Sequence, residues 1–170
     1  MTEVLAHPLD ALPASGWQDH HELGYAPMDD IHAEFIALLE RLLAAEDAAQ
    51  AALMDELIVH VRAHFDEENR WMQETQFPPR DCHIEQHEAV WQSVLEVRQL
   101  LNHGRHDLCR DLALALANWF PEHATHLDSA LAHWMCKRRL GGKPVVLRRG
   151  VAHPLDTTER EAAHDADHRA

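Results

Sequence analysis

Helical periodicity in four separate stretches is the feature that most constrains the fold of this chain. Apolar residues recur at intervals of three and four within residues 29–45, 49–74, 81–101 and 107–138, which places them on one face of an α-helix. Because only short segments separate the stretches, neighbouring helices are expected to run in opposite directions. The sequence therefore predicts an all-α protein, built as an antiparallel up-down four-helix bundle.

The predicted bundle covers residues 29–140 and is flanked by two segments of a different character. Residues 1–28 are expected to form an irregular N-terminal arm, and residues 141–170 a polar, mobile C-terminal tail. The pentapeptide AHPLD occurs at residues 6–10 and again at residues 152–156, and chance is the favoured explanation because nothing around it repeats. These boundaries predict one domain with two appendages.

Charge and composition limit the partners and the location of the protein. The 170 residues carry a formal net charge of -14, and an acidic surface repels phosphate, so nucleic acid and anionic membranes are poor partners. No apolar run approaches the about 18 residues of a membrane span, and the N-terminus lacks the features of a signal peptide. The three cysteines form no CxxC motif and suit a reducing compartment. We therefore expect a soluble, cytoplasmic protein.

Histidine is unusually frequent, with 16 residues in the chain. Within the predicted helices, His64 and Glu68 are four residues apart, as are His83 and His87, so each pair shares one helix face. All four helices can offer donors toward one axis: His32 from the first, His64 and Glu68 from the second, His83 and His87 from the third, His123 and Asp128 from the fourth. Imidazole and carboxylate together suit iron, zinc or manganese, and seven donors favour two ions bridged by carboxylates.

The alternative is that these histidines are solvated or satisfied within an ordinary core. In a chain so rich in histidine, composition alone accounts for about one or two His-x-x-x-His pairs. The chain has three such pairs: His60/His64, His83/His87 and His164/His168. A single pair is therefore uninformative, and the information lies in the order of the donors, their placement on helices and the accompanying acids.

Five motifs follow one another in a distinctive order between Trp17 and about residue 137. They are Trp17 followed by DDIH at 29–32, HFDEE at 64–68 with Met72 after it, FP at 77–78, HIEQH at 83–87, and Trp119 followed by HATHLD at 123–128. This order resembles the hemerythrin family, especially its bacterial members. The resemblance implies a non-haem site of two iron ions with an oxo or hydroxo bridge.

The resemblance also implies a role for each ligand residue. His83, His87 and His123 would bind one iron, His32 and His64 the other, and Glu68 and Asp128 would bridge the two. The iron held by two histidines would keep one open position. The function implied is reversible dioxygen binding, that is, carriage, storage or delivery, rather than enzymatic catalysis.

Departures from the family pattern occur in the second and fourth helices. Asn69 and Trp71 replace the acidic and aliphatic residues that the family commonly has there. Pro121 lies inside the fourth helix, removes one backbone hydrogen bond, and is expected to kink or rewind the helix. A regular helix turns about 140° over five residues, so spacing alone would pair His123 with His126 or Leu127. The choice of Asp128 rests on the resemblance, and His126 is expected to point outward.

Aromatic residues near the predicted ligands are candidates for the wall of a dry pocket. They are Phe35, Phe65, Trp91, Trp119 and Phe120, and for any one of them ordinary core packing is the alternative. The remaining histidines, among them His7, His20, His21, His60, His103, His106 and His133, are expected to be surface groups.

Three further functions stay open at this stage. The same site could serve an oxygen or redox sensor that contacts a protein partner through the arm or tail. It could also serve a di-iron enzyme acting on peroxide or nitric oxide. A module that holds zinc or mixed metals is the third alternative.

Overall fold

In the computed structural model, the described residues are 22–139 and 141–142, and they form helices joined by short loops. The helices are α1 Ala26–Leu43, α2 Asp47–Glu74, α3 Arg80–Leu101, α4 His106–His123 and α5 Ser129–Arg139, with a π-helical turn Ala124–Asp128 between the last two. Together α4, the π-helical turn and α5 make the fourth helix of the bundle. Each helix packs against the next, and α1 also packs against α4. The predicted all-α, antiparallel up-down four-helix bundle is confirmed.

The first helix begins at Ala26, earlier than the predicted start at Asp29, so the last residues of the predicted arm are helical. Pro27 suits the first turn because the backbone N–H that proline lacks has no partner there. Asp29 lies in that turn, and its carboxylate accepts the backbone N–H of Leu23 at 2.7 Å and of Gly24 at 3.0 Å. The carboxylate therefore ties the incoming chain to the helix.

The sequence predicts that the fourth helix starts near residue 107 with Asp107 as its N-cap, but the N-cap is Arg105, two residues earlier. The helix begins at His106 and follows Arg105, whose guanidinium donates to the Asp107 carboxylate at 3.0 and 2.7 Å. Asp107 therefore lies in the first turn, where its negative charge is favourable near the helix N-terminus.

Several sequence predictions lie outside the described residues. They concern the arm before residue 22, including Trp17, and the tail from residue 143, together with both AHPLD segments. Within the described part of the chain, no helix combines the length and apolar character needed to cross a membrane.

Two apolar clusters fill the bundle on either side of a layer of polar side chains. The larger cluster includes Phe35, Leu57, Phe65, Leu116 and Phe120, and the smaller includes Tyr25, Met28, Trp71, Leu131 and Met135. Full burial of a large apolar side chain contributes about 1.5–3 kcal/mol, so the two clusters drive the helices together. The polar layer is held at a fixed depth between them.

Candidate metal centre

The polar layer contains all seven side chains that the sequence singled out. They are His32 on α1, His64 and Glu68 on α2, His83 and His87 on α3, His123 at the end of α4 and Asp128 at the end of the π-helical turn. Each exposes at most 3% of its surface. Burying so many polar groups is costly unless they are paired or bind a metal.

The π-helical turn explains how Asp128 joins the layer although it is five residues from His123. A π turn closes a hydrogen bond between residues i and i+5, so it brings residues five apart onto one face. Pro121 lies just before this turn, inside α4, and the prediction that it would kink or rewind the helix is confirmed as a rewinding. His126 is exposed, as expected, whereas Asp128 is fully buried.

The carboxylate of Glu68 faces histidines in two directions. Its Oε1 lies 3.1 Å from Nε2 of His64 and 3.4 Å from Nε2 of His32. Its Oε2 lies 3.3 Å from Nε2 of His87 and 3.4 Å from Nε2 of His83. We call His32 and His64 the two-histidine side, and His83, His87 and His123 the three-histidine side. Glu68 turns one oxygen to each side.

Asp128 has the same arrangement. Its Oδ1 lies 3.0 Å from Nε2 of His83 and 3.2 Å from Nε2 of His123, on the three-histidine side. Its Oδ2 lies 3.3 Å from Nε2 of His32, on the two-histidine side. Both carboxylates therefore span the two histidine groups.

The donor atoms fit metal ions in number and spacing. Two ligands that are each about 2.1 Å from an ion, at roughly right angles, lie about 3 Å apart, close to the separations seen here. One group of donors comes from Glu68, His83, His87, His123 and Asp128, and a second from His32, His64 and Glu68, with all donor atoms of a group within 4.8 Å. The structure thus supports a cluster that can bind metal.

Several donor atoms also lack hydrogen bonds that would otherwise satisfy them. Oε2 of Glu68, both carboxylate oxygens of Asp128 and Nε2 of His87 are buried and have no hydrogen bond of good geometry to the described residues. A buried polar atom without a partner costs about 1–3 kcal/mol. A cation at the centre would satisfy these atoms together.

The electrostatics of the layer favour a cation. Burial raises the pKa of Glu68, but His64 and the neighbouring histidines outweigh it and hold that pKa well below its usual range. Burial lowers the pKa of His83, yet the carboxylates of Asp128 and Glu68 outweigh it and raise this pKa to about 9. At His87 burial dominates and lowers the pKa to about 4. The ionised carboxylates thus favour positive charge, and without a metal His83 supplies it as a proton.

Two amide side chains contact the three-histidine side from outside. Nδ1 of His87 lies 3.1 Å from Oδ1 of Asn69, and Nδ1 of His123 lies 3.1 Å from Oε1 of Gln86. In the sequence, Asn69 stands out only as a departure from the family pattern, and nothing marks Gln86. The only available signal is position: Asn69 directly follows Glu68, and Gln86 lies between His83 and His87.

Four of the five predicted aromatic residues contact site histidines. The ring of Phe120 lies 4.9 Å from His32, Phe35 lies 6.1 Å from His64, Phe65 stacks on His87 at 4.0 Å, and Trp119 lies 4.2 Å from His123, all between ring centroids. Trp91 instead packs against the larger apolar cluster, with the guanidinium carbon of Arg62 5.4 Å from its ring. Aromatic rings therefore pack against four of the five histidines, on both the two-histidine and the three-histidine side.

The prediction that the remaining histidines are surface groups is confirmed for His103 and His133 and wrong for His60. The side chain of His60 is 12% exposed, and its ring stacks against Phe35 with 6.1 Å between centroids. His106 is half-buried, and its Nδ1 lies 2.9 Å from Oε1 of the buried Gln50. His7, His20 and His21 lie outside the described residues.

The family and the known proteins that this chain resembles are all hemerythrins by description. The family described as "Hemerythrin HHE cation binding domain" matches residues 13–134. The chain is 35% identical over 127 residues to a bacteriohemerythrin of Ralstonia nicotianae, covering 75% of this chain and 93% of that relative. It is 29% identical over 120 residues to a bacteriohemerythrin of Stenotrophomonas maltophilia, covering 68% of this chain and 78% of that relative. It is 30% identical over 117 residues to a bacteriohemerythrin of Aquifex aeolicus, covering 65% of this chain and 89% of that relative. No solved structure matches the chain significantly.

Proposed function

Because the chain belongs to the hemerythrin family, we propose that it binds dioxygen reversibly at a non-haem site of two iron ions. Its role is then to carry, store or deliver dioxygen rather than to catalyse a reaction. The ligands would be the seven buried residues of the polar layer, His32, His64, Glu68, His83, His87, His123 and Asp128.

The observation that carries this proposal is the orientation of the two carboxylates. Glu68 and Asp128 each turn one oxygen to the three-histidine side and the other to the two-histidine side. A carboxylate placed between two groups of imidazoles is suited to bridging two ions. A centre for a single ion would leave half of these oxygens and at least two imidazoles unused.

The protein offers the two sides unequal numbers of donors. Three imidazoles and one oxygen from each carboxylate give five donor atoms on one side, whereas two imidazoles and the same two carboxylates give four on the other. A small exogenous ligand is therefore expected on the two-histidine side. When bound there, a pair of ferrous ions supplies two electrons that dioxygen can take up and return.

The surroundings of the two-histidine side favour a small apolar molecule. Phe120 is fully buried against His32, and its ring lies 5.2 Å from Phe35. Apolar walls exclude water and give little to recognise a polar substrate. Such an environment suits reversible binding of dioxygen. Reduced oxygen would leave the site as an anion, and release of an anion into solvent needs water or hydrogen-bond donors nearby.

The test is spectroscopic and uses the full chain with its iron counted. We expect two iron ions per chain and, after anaerobic reduction, a visible charge-transfer band that appears with oxygen, vanishes under vacuum and returns over several cycles. Conversion to the oxidised form at the first exposure would rule out carriage and favour an enzyme or a sensor. Purification with zinc or a single ion would contradict the di-iron site itself.

A further inference from the structure

Asn69 lies on α2 directly after Glu68, and its side chain reaches across to α3. Its Oδ1 is 3.1 Å from Nδ1 of His87. The other ring nitrogen of His87, Nε2, faces the centre and lies 3.3 Å from Oε2 of Glu68. The imidazole is thus held between an amide on its outer edge and the carboxylate layer on its inner edge.

This arrangement selects one tautomer of His87. A neutral imidazole carries one proton, and the nitrogen that binds a cation must be the one without it. The amide oxygen of Asn69 can only accept a hydrogen bond, so it places the proton on Nδ1 and leaves the lone pair of Nε2 for the centre. Phe65 stacks on the ring with 4.0 Å between centroids and 7° between planes, which fixes the plane of the ring.

We propose that Asn69 is a positioning residue that fixes the tautomer and orientation of His87. Because the Asn69 amide is neutral, His87 is a weaker electron donor than it would be with a carboxylate in the place of that amide. A hydrogen bond to a carboxylate raises the basicity of a ligating imidazole, and a more basic ligand stabilises the ferric form. The amide therefore favours the ferrous form, which is the form that binds dioxygen. The redox part of this inference rests on the proposed function, whereas the hydrogen bond does not.

Gln86 provides an internal comparison. Its Oε1 lies 3.1 Å from Nδ1 of His123, but Gln86 is exposed whereas Asn69 is half-buried. Water can replace an exposed acceptor more readily than a half-buried one. Loss of the Asn69 amide should therefore have the larger effect.

The hydrogen bond is tested in the full-length chain after removal of metal, by the ¹⁵N shifts of the His87 ring. Wild type and Asn69→Asp should both carry the proton on Nδ1. Asn69→Leu, which removes the acceptor, should shift the tautomer toward Nε2, whereas Gln86→Leu should leave His87 unchanged. The inference would be overturned if Asn69→Leu kept the helix content of wild type and still carried the His87 proton entirely on Nδ1.

The consequence for iron is tested by chelator competition and redox titration of the loaded protein. Asn69→Leu should lose iron affinity by about 10- to 100-fold. Asn69→Asp should keep its iron and stabilise the ferric form by about tenfold, a fall of about 59 mV for a one-electron step. Gln73→Glu, an exposed position one turn further along α2, adds the same charge without the hydrogen bond and should shift the potential much less.

Two results would separate the possible failures. Equal shifts in Asn69→Asp and Gln73→Glu would show a general field effect and overturn the role of the hydrogen bond. A wild-type chain that takes up no iron would overturn the proposed function and the redox part of the inference, while the tautomer measurement would still decide whether Asn69 positions His87.

Discussion

The two histidine sides share both carboxylates but differ in what lies behind their rings. On the three-histidine side, Nδ1 of His87 and Nδ1 of His123 each have an amide acceptor, whereas Nδ1 of His83 is buried without a hydrogen bond to the described residues. On the two-histidine side, Nδ1 of His64 is buried without a hydrogen bond to any residue within 22–139 and 141–142. Two of the three imidazoles on the three-histidine side are therefore oriented by hydrogen bonds as well as packing, whereas His64 on the two-histidine side depends more on the surrounding aromatic rings. The contrast matches the proposal that one side holds its ion and the other admits a ligand.

The largest effect is expected from a change that removes what the two sides share. Glu68→Gln replaces one carboxylate oxygen by an amide nitrogen, which is not a metal ligand, and removes a buried negative charge. Because the two oxygens of Glu68 face His64 on one side and His87 on the other, both sides should be affected. We expect the iron content to fall from two ions per chain to one or none, measured by metal analysis and visible absorption.

Glu67→Gln is the matched control for this prediction. Glu67 precedes Glu68 on α2, but its side chain is 36% exposed and paired with Arg70. Its substitution should keep both ions and change the free energy of unfolding by no more than about 0.5 kcal/mol. Two ions and an unchanged spectrum in Glu68→Gln would remove that residue from the centre.

Most of the fold follows from the sequence because each helix carries its own periodic apolar face. The predicted start of α1 is three residues late, because Asp29 lies within the first turn, from where its carboxylate binds the backbone of Leu23 and Gly24. The place of Asp128 could not follow from regular helical spacing, since it depends on a π turn after Pro121. Only the family resemblance pointed to it.

The contacts behind the ligands were even less predictable. The hydrogen bond from His87 to Asn69 joins two helices, and its existence depends on how α2 and α3 are rotated against each other. The burial of His60 has the same origin, because its packing against Phe35 joins α2 to α1. Periodicity identifies the inward face of a helix but not which side chains meet across it.

A smaller effect is expected from loosening the aromatic wall on the two-histidine side. Phe120→Leu should open space beside His32, because the centroids of the Phe120 and His32 rings lie 4.9 Å apart. Water would then reach the centre more easily, and oxidation of the oxygenated protein should be faster by on the order of tenfold, equivalent to about 1.4 kcal/mol of activation free energy. The rate is measured from the decay of the visible band in air.

Leu116→Val, one turn earlier on α4 and in the same apolar cluster, separates this effect from lost stability. Both variants should lose about 1–2 kcal/mol of unfolding free energy. If the two oxidise at the same rate, Phe120 is ordinary core packing and the wall has no special role on that side.

The smallest effect concerns His60, which lies behind the two-histidine side with its ring 5.9 Å from that of His64. Burial, followed by the nearby charge of His64, lowers the pKa of His60 from 6.5 to about 4. Between these values the unfolded chain binds a proton that the folded chain does not, so this residue makes stability fall as the pH drops from about 6.5 to about 4. His60→Leu should remove that contribution.

The expected size at pH 5 follows from the same shift. A pKa that falls from 6.5 to about 4 corresponds to about 2 kcal/mol at that pH, and the partial contact of the ring with water reduces it to about 1 kcal/mol. Urea unfolding at pH 7 and pH 5, with all proteins in the same metal state, should therefore show a smaller loss for His60→Leu than for wild type. The exposed His133→Leu should behave like wild type. Equal losses in wild type and His60→Leu would mean that His60 takes up its proton in the folded bundle, and that the packing behind the two-histidine side is open to water.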